Sequence, residues 1–228
     1  LENTAREIQA KGGFHNVSLT EAIEIANHFA KVYAQMHFSH IYSERMSYLF
    51  SRNNQELEFI VTELWEELQH SEFEPWDFEL GFGNGGKMDY IHFGGKVMQA
   101  KLEGKVDRVD VWNNGHQNYF RVVDYKTGSK DFDYCDIFNG IGLQMFLYLF
   151  ALEENGEDLL GKYAVPAGVQ YFPARAPYLS SDGLLNEEDA EKQRQKEWKR
   201  RGLLLRDEQV LQAMEPGENP TRLSCTRK

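Results

Sequence analysis

Cysteine is scarce in this chain of 228 residues; Cys135 and Cys225 are the only two. They form neither a metal-ligand spacing nor a disulfide framework, and plain thiols point to a reducing compartment, the cytoplasm. Long apolar runs are missing as well. None approaches the ~20 residues that span a bilayer, and no signal-peptide pattern opens the chain, so no membrane contact is expected. There is no internal repeat and no low-complexity segment. Positive charge is in deficit, with 25 Lys and Arg against 36 Asp and Glu and a net charge of −11. Such an acidic balance argues against non-specific nucleic-acid binding by the whole surface. The first residue is Leu1 rather than Met, in mid-pattern, and we expect a piece excised from a larger protein.

What is present describes a folded domain. Apolar residues make up 41% and aromatics 13% of the chain, enough to bury a core at this length. The charge is uneven. Residues 191–206 hold seven Lys and Arg against two Glu, a basic strip that fits a nucleic-acid contact, a partner contact or simply a solvated helix face.

The first third reads as helix. Ser18-Leu19-Thr20-Glu21 has the form of a capping box, flanked by Val17 and followed by Ile25, Phe29, Val32 and Met36 at helical spacing. A second helix runs from about Asn54 to His70, with Leu57, Ile60, Val61, Leu64 and Leu68 on one face. Pro75 then blocks helix, and Phe78 to Gly83 reads as a short strand. The middle third is sheet. From Val97 to Trp112 the apolar parity is even up to Val106 and odd from Val109, which predicts a bulge near Asp107. Asn113 to Gln117 is a hairpin turn, and a strand from Tyr119 to Lys126 follows. Asp136 to Glu153 reads as one largely buried helix and Gly168 to Phe172 as a strand. Asn186 to Arg201 is a charged, exposed helix, Asp207 to Met214 a short capped one, and the tail after Gly217 shows no structure.

Asp107, Asp124 and Lys126 carry the chemistry. Residues two apart in a strand point the same way, so Asp124 and Lys126 share a face. A hairpin centred between Gly115 and His116 pairs residues whose numbers sum to about 231, which sets Asp107 across from Asp124. Two carboxylates ~4 Å apart repel by about 4 kcal/mol at an effective dielectric of 20, and a divalent cation removes that penalty. Oxygen-only ligands suit Mg²⁺ or Mn²⁺, which polarise a phosphoryl oxygen and acidify bound water, while the lysine orients the water or stabilises developing charge. Taken alone, Asp-x-Lys is equally an ordinary cross-strand ion pair. Gln144 and Tyr148 lie four apart on an otherwise apolar helix, so a phosphate, Lys126 or a backbone group must satisfy them.

Gly-x-x-Asp-Arg-Val-Asp at 104–110, Val-Val-Asp-Tyr-Lys-Thr-Gly at 122–128 and Gly-Leu-Gln-Met-Phe-Leu-Tyr-Leu at 142–149 resemble the RecB-like branch of the PD-(D/E)XK nucleases. More closely, they resemble the C-terminal nuclease domain of the B subunit of AddAB-type ATP-dependent helicase–deoxyribonucleases. Similar text recurs at 43–49, 73–75, 78–83, 167–172 and 202–205. The resemblance implies an α/β, restriction-endonuclease-like mixed sheet flanked by helices, with an N-terminal helical segment. The segments would be a helical part over 1–72, a nuclease core over 73–178, and a charged helix with a truncated extension over 179–228. It implies Mg²⁺- or Mn²⁺-dependent exonucleolytic DNA hydrolysis in end resection and recombinational repair, on a single strand fed from an unwound duplex beside the A subunit. Asp107, Asp124 and the Tyr125 carbonyl would hold the metal and Lys126 would be the catalytic lysine. Gln144 and Tyr148 match the helix motif behind the site, and Glu79 matches a recurrent acidic position. Two features of the family find no counterpart. A helical histidine would fall before Leu1, since His15, His28, His37 and His40 lack its Gly-x-x-x-His context. An iron–sulfur cluster belongs to the full-length family, but Cys135 and Cys225 match none of its ligand positions, so no cluster is expected in this chain. Two other readings stay open: a catalytically silent DNA-guiding or partner-docking module of the same fold, and a stand-alone Cas4-like exonuclease. His92 and His116 read as surface residues, and Trp65, Trp76, Trp112 and Trp198 as core or interface.

Overall fold

A computed structural model describes residues 1–38, 43–95, 99–128, 131–161, 164–177, 179, 184 and 186–224. Three helices open the chain: α1 (Glu2–Ala10), α2 (Leu19–Phe38) and α3 (Glu44–His70). The capping box is half realised. Ser18 Oγ accepts from Glu21 N–H, but the Glu21 carboxylate turns to Lys11 at 2.9 Å. The inward face of α2 centres on Ala22 and Ala26, and Met36 is exposed, because small residues let α2 and α3 approach closely. Helix α3 starts a full ten residues before Asn54, capped by Ser43. Its apolar stripe at Ile60, Val61, Leu64 and Leu68 is buried as the periodicity requires.

The sheet consists of β1 (Glu74–Phe82), β4 (Gly104–Asn113), β5 (Asn118–Lys126), β6 (Val165–Pro173) and β7 (Arg201–Leu204), in that spatial order. The β5–β6 pair is parallel and the others antiparallel, so the sheet is mixed. Pro75 lies within β1, where an edge strand tolerates its missing N–H. The long run from Val97 is not one strand. Its start falls outside the described residues, Gln99–Leu102 forms β3 in a separate ribbon with β2 (Ile91–Gly94), and β4 begins after Glu103. Between β5 and β6 the chain crosses over through α4 (Tyr134–Phe138), α5 (Gln144–Asn155) and α6 (Glu157–Leu160). The single buried helix expected over 136–153 is therefore two. Gly140 and Gly142, at φ 78° and 71°, break it, and α4 buries none of its residues. Helix α7 (Glu187–Glu197) is exposed as its charge demands but ends before Arg201: Trp198 and Arg200 turn into the interior and Arg201 opens β7. Helix α8 (Glu208–Met214) is capped by Asp207. The tail is not structureless, since Arg200 N–H donates to the Arg222 carbonyl and Arg200 bridges to Leu223. Cys225 and His40 lie outside the described residues.

Each face of the sheet carries its own core. Leu80, Phe82, Val106, Val109, Phe120, Val122 and Val169 pack with Met145, Tyr148 and Leu152 of α5. Phe78, Val123 and Phe172 pack with Ile8, Ala22, Val61 and Leu64 of α1–α3. Trp198 is buried in the second core, and Trp65, Trp76 and Trp112 pack against one core or another, as structural aromatics do.

Candidate functional site

The β4–β5 hairpin turns on Asn114 and Gly115, the latter at φ 89°, while the Asn114 side chain accepts from the His116 and Gln117 N–H groups. Its register runs from Asn113↔Asn118 to Arg108↔Val123. The next pair in that frame is Asp107 with Asp124. The ladder stops one step short because the Asp107 carboxylate takes over, its Oδ2 accepting from Tyr125 N–H at 2.9 Å.

The face change near Asp107 is real, but its cause is not a bulge in β4. Phe78 packs toward the α1–α3 core and Leu80, two residues on, toward the α5 core. Between them Glu79 sits at φ 52°, alone among the described non-glycine residues in positive φ. Glu79 and Asp107 drop out of the β1–β4 ladder together, although Phe78↔Arg108 and Leu80↔Val106 keep one register around them. The only register shift in β1 lies between Pro75 and Asp77. Strained backbone of this kind collects at functional sites, and here it swivels two strands at the level of the carboxylates.

Past the switch, Asp107, Asp124 and Lys126 share the α5 face. Asp124 is buried, and its Oδ2 lies 2.6 Å from Lys126 Nζ, off-axis for a hydrogen bond. Burial raises the Asp107 pKa above the ordinary carboxylate value. The Tyr125 N–H opposes that rise, and the charges of Asp124 and Glu79 add to it. Partial burial works against the Lys126 ammonium, but Asp124 and then Asp107 outweigh it and hold the amine above its usual range. Glu79 meanwhile pairs with Lys105 at 2.9 Å on the exposed rim. Among the described residues, Gln144 and Tyr148 meet neither a backbone group nor Lys126. Gln144 Nε2 donates to the Tyr148 hydroxyl at 2.6 Å, and the Tyr148 ring packs edge-on to Phe82.

Among the described residues no group of three or more His, Cys, Asp or Glu side chains could hold a metal. A hard cation here would draw on the two carboxylates, a backbone carbonyl and water, which is an ordinary Mg²⁺ set. The donors fit it: both are oxygen, one of the carboxylate oxygens is buried without an aligned hydrogen bond, and the two like charges oppose each other. Cys135 is an exposed free thiol.

Behind the site, on the opposite sheet face, lies a buried ionic cluster that no sequence signal had marked. Glu67 of α3 accepts from Arg121 at 2.9 Å and Arg108 at 3.4 Å through Oε1, and from Arg200 at 2.7 Å through Oε2. Asp110 joins Arg108 and Arg121, each at 2.8 Å. Burial would push the Glu67 carboxyl up, but Arg200, Arg121 and Arg108 together hold it at about 2. The cluster reaches the site through one residue. Arg108 Nη1 donates to the Tyr125 hydroxyl at 3.1 Å, and the Tyr125 backbone in turn holds Asp107.

A family model described as the PD-(D/E)XK nuclease superfamily matches residues 9–227. The chain is also similar to proteins named as the B subunit of an ATP-dependent helicase/deoxyribonuclease. It is 38% identical to that of Clostridium perfringens over 191 residues, which is 82% of this chain and 16% of that protein. The Moorella thermoacetica protein is 37% identical over 174 residues, 76% of this chain and 15% of that protein. The Oceanobacillus iheyensis protein is 34% identical over 177 residues, with the same two coverages. The chain thus spans about one sixth of the length of these curated relatives. No described helix is long and apolar enough to cross a membrane.

Proposed function

The chain belongs to the PD-(D/E)XK nuclease superfamily, and from that premise we propose that it hydrolyses DNA phosphodiesters at the Asp107–Asp124–Lys126 site with a bound Mg²⁺ or Mn²⁺. The observation that carries this reading is the junction of β4 and β5, where two carboxylates and an ammonium converge on one sheet face and act on one another's charge. Asp107, Asp124 and the Tyr125 carbonyl are the groups that would hold the metal. When bound, it would polarise the phosphoryl oxygen and lower the pKa of a water.

The rest of the chemistry belongs to the chain. Lys126, kept protonated by its neighbours, orients the attacking water or balances the charge that grows on the phosphoryl oxygens. The Tyr125 N–H fixes the Asp107 carboxylate in one rotamer. Gln144 and Tyr148, bonded to each other on α5, would offer polar groups to the substrate strand. Glu79 tunes Asp107 by charge and by its swivel of the strands.

Such a site suits the nuclease domain of a helicase–nuclease subunit that trims DNA ends fed by a motor. The relatives' printed name and the small share of their length covered here support that setting. The test is cleavage of labelled single-stranded DNA with Mg²⁺ or Mn²⁺, run beside Asp124→Ala and with calorimetric titration of the metal. Metal-dependent cutting that Asp124→Ala abolishes supports the proposal. Equal cutting by both proteins removes the site assignment. Absence of both cutting and Asp124-dependent metal binding would favour a silent, DNA-guiding module.

A further inference from the structure

The basic strip of residues 191–206 is split by the fold. Lys192 and Arg194 pair with Glu188 and Glu191 on the exposed face of α7, and Arg200 is buried on Glu67. Lys199 and Arg201 go elsewhere. They line a cavity of about 250 Å³ that also takes in Lys126, Thr127, Tyr171 and Arg175. A second cavity, of about 590 Å³, shares Thr127, Arg175, Ala176 and Pro177 with the first and continues to Arg52 and Arg194 beside α3. The two form one cleft that starts at Lys126 and wraps around the carboxyl ends of the parallel strands β5 and β6, the end of a parallel pair where ligands gather.

Its charge runs against that of the molecule. Among the described residues, six cations (Arg52, Lys126, Arg175, Arg194, Lys199 and Arg201) and two carboxylates, Glu56 and Glu197, line it, in a chain whose net charge is −11. Lys126, Arg194 and Arg201 also pair with Asp124, Glu191 and Asp131. Arg175 lies 4.0 Å from the half-buried Glu56, and Arg201 lies 2.7 Å from Asp131, an ion pair between exposed side chains that contributes little and that a phosphate can compete with. Among the described aromatic rings at the cleft, Tyr171 and Trp198 are buried, and Phe59 is half-buried with its ring held edge-on against Trp198. A row of cations with, among the described residues, no fully exposed ring favours a grip on the sugar–phosphate chain over stacking on the bases.

We propose that this cleft is the track along which the sugar–phosphate backbone of a single DNA strand runs to or from the Asp107–Asp124–Lys126 site. The inference rests on the nuclease reading for the place of cutting, but strand binding is measured independently of cutting. The experiment uses a fluorescein-labelled oligothymidine of about 12 nucleotides, followed by anisotropy in EDTA over a series of salt concentrations. The protein is compared with the cleft pair Arg175→Gln/Lys199→Gln, the charge-keeping pair Arg175→Lys/Lys199→Arg, and the remote pair Lys11→Gln/Lys101→Gln.

Each phosphate contact on a single strand contributes about 0.7 to the slope of log affinity against log salt. The cleft pair is therefore expected to flatten the slope by about 1.4 and to weaken binding roughly 25-fold at 0.1 M salt. The charge-keeping pair retains both values and the remote pair leaves them unchanged. An unaltered slope in the cleft pair, an equal loss in the remote pair, or a duplex that binds more tightly with the same dependence on Arg175 and Lys199 overturns the proposal. Cleft-dependent binding without metal-dependent cutting would sink the nuclease reading and leave the track standing. Cutting with cleft-independent binding would do the reverse.

Discussion

Glu67→Gln is the substitution that most directly tests how the site is held. Glu67 is 6% exposed and touches three guanidinium groups; among the described residues Asp110 is the other buried carboxylate there, and the more exposed Glu63 lies 3.9 Å from Arg200. Glutamine keeps the volume and removes the charge, leaving Arg108 and Arg121 with Asp110, and Arg200 with Glu63. The carboxyl sits at about 2 against an ordinary 4.5, and at 1.36 kcal/mol per unit the charged form contributes about 3 kcal/mol. Breaking a buried ion pair from one side costs about 3–5 kcal/mol, so the two routes agree. For a chain of this length that amounts to a fall in Tm of roughly 10 °C. The sign follows from the depressed pKa. The contribution is complete above about 4.5 and is lost as pH falls toward about 2, so about half should remain near pH 3.3. Urea unfolding of both proteins at pH 7 and pH 3.3 checks this. A gap below about 1 kcal/mol at pH 7, or one equal at the two pH values, would refute the assignment of Glu67 as the anion that organises the cluster.

Tyr125→Phe removes the hydroxyl that accepts from Arg108, and should cost about 1–3 kcal/mol in urea unfolding. Calorimetric metal affinity should hardly change, because Asp107 is held by the backbone N–H and not by the phenol. Lys126→Met should lower the rate of metal-dependent cleavage by about 100-fold or more, with metal binding retained in the same titration. Phe120→Ala, at a fully buried position between β4 and β6, should destabilise by about 3–5 kcal/mol. Phe138→Ser, on the exposed face of α4, should shift unfolding by less than about 0.5 kcal/mol.

The hairpin that builds the site was legible in the residues alone. Alternation of apolar residues, an Asn-Gly turn and a two-residue side-chain period suffice to set Arg108 opposite Val123 and to place Asp124 and Lys126 on one face. These are rules of neighbouring residues, and a strand pair joined by a tight turn obeys them almost without help from the rest of the chain. The parity change at Asp107 was visible as well, but its source was not. It lies in the backbone of Glu79 on another strand, and side-chain patterns carry no direct record of a positive φ. The helix over 136–153 failed for a related reason: apolar residues continue through Gly140 and Gly142, so composition suggested burial where the chain breaks and turns α4 outward.

By itself, then, the sequence determined the family, the strand pair and the trio of charged side chains, because each is written in residues close together along the chain. Tertiary structure alone decided the rest. Glu67 finds Arg108, Arg121 and Arg200 at separations of 41, 54 and 133 residues, and Lys199 and Arg201 come round to Lys126 only when β7 docks on β6. Buried charges need partners wherever the chain can supply them, and only the assembled sheet brings partners so far apart in sequence within reach.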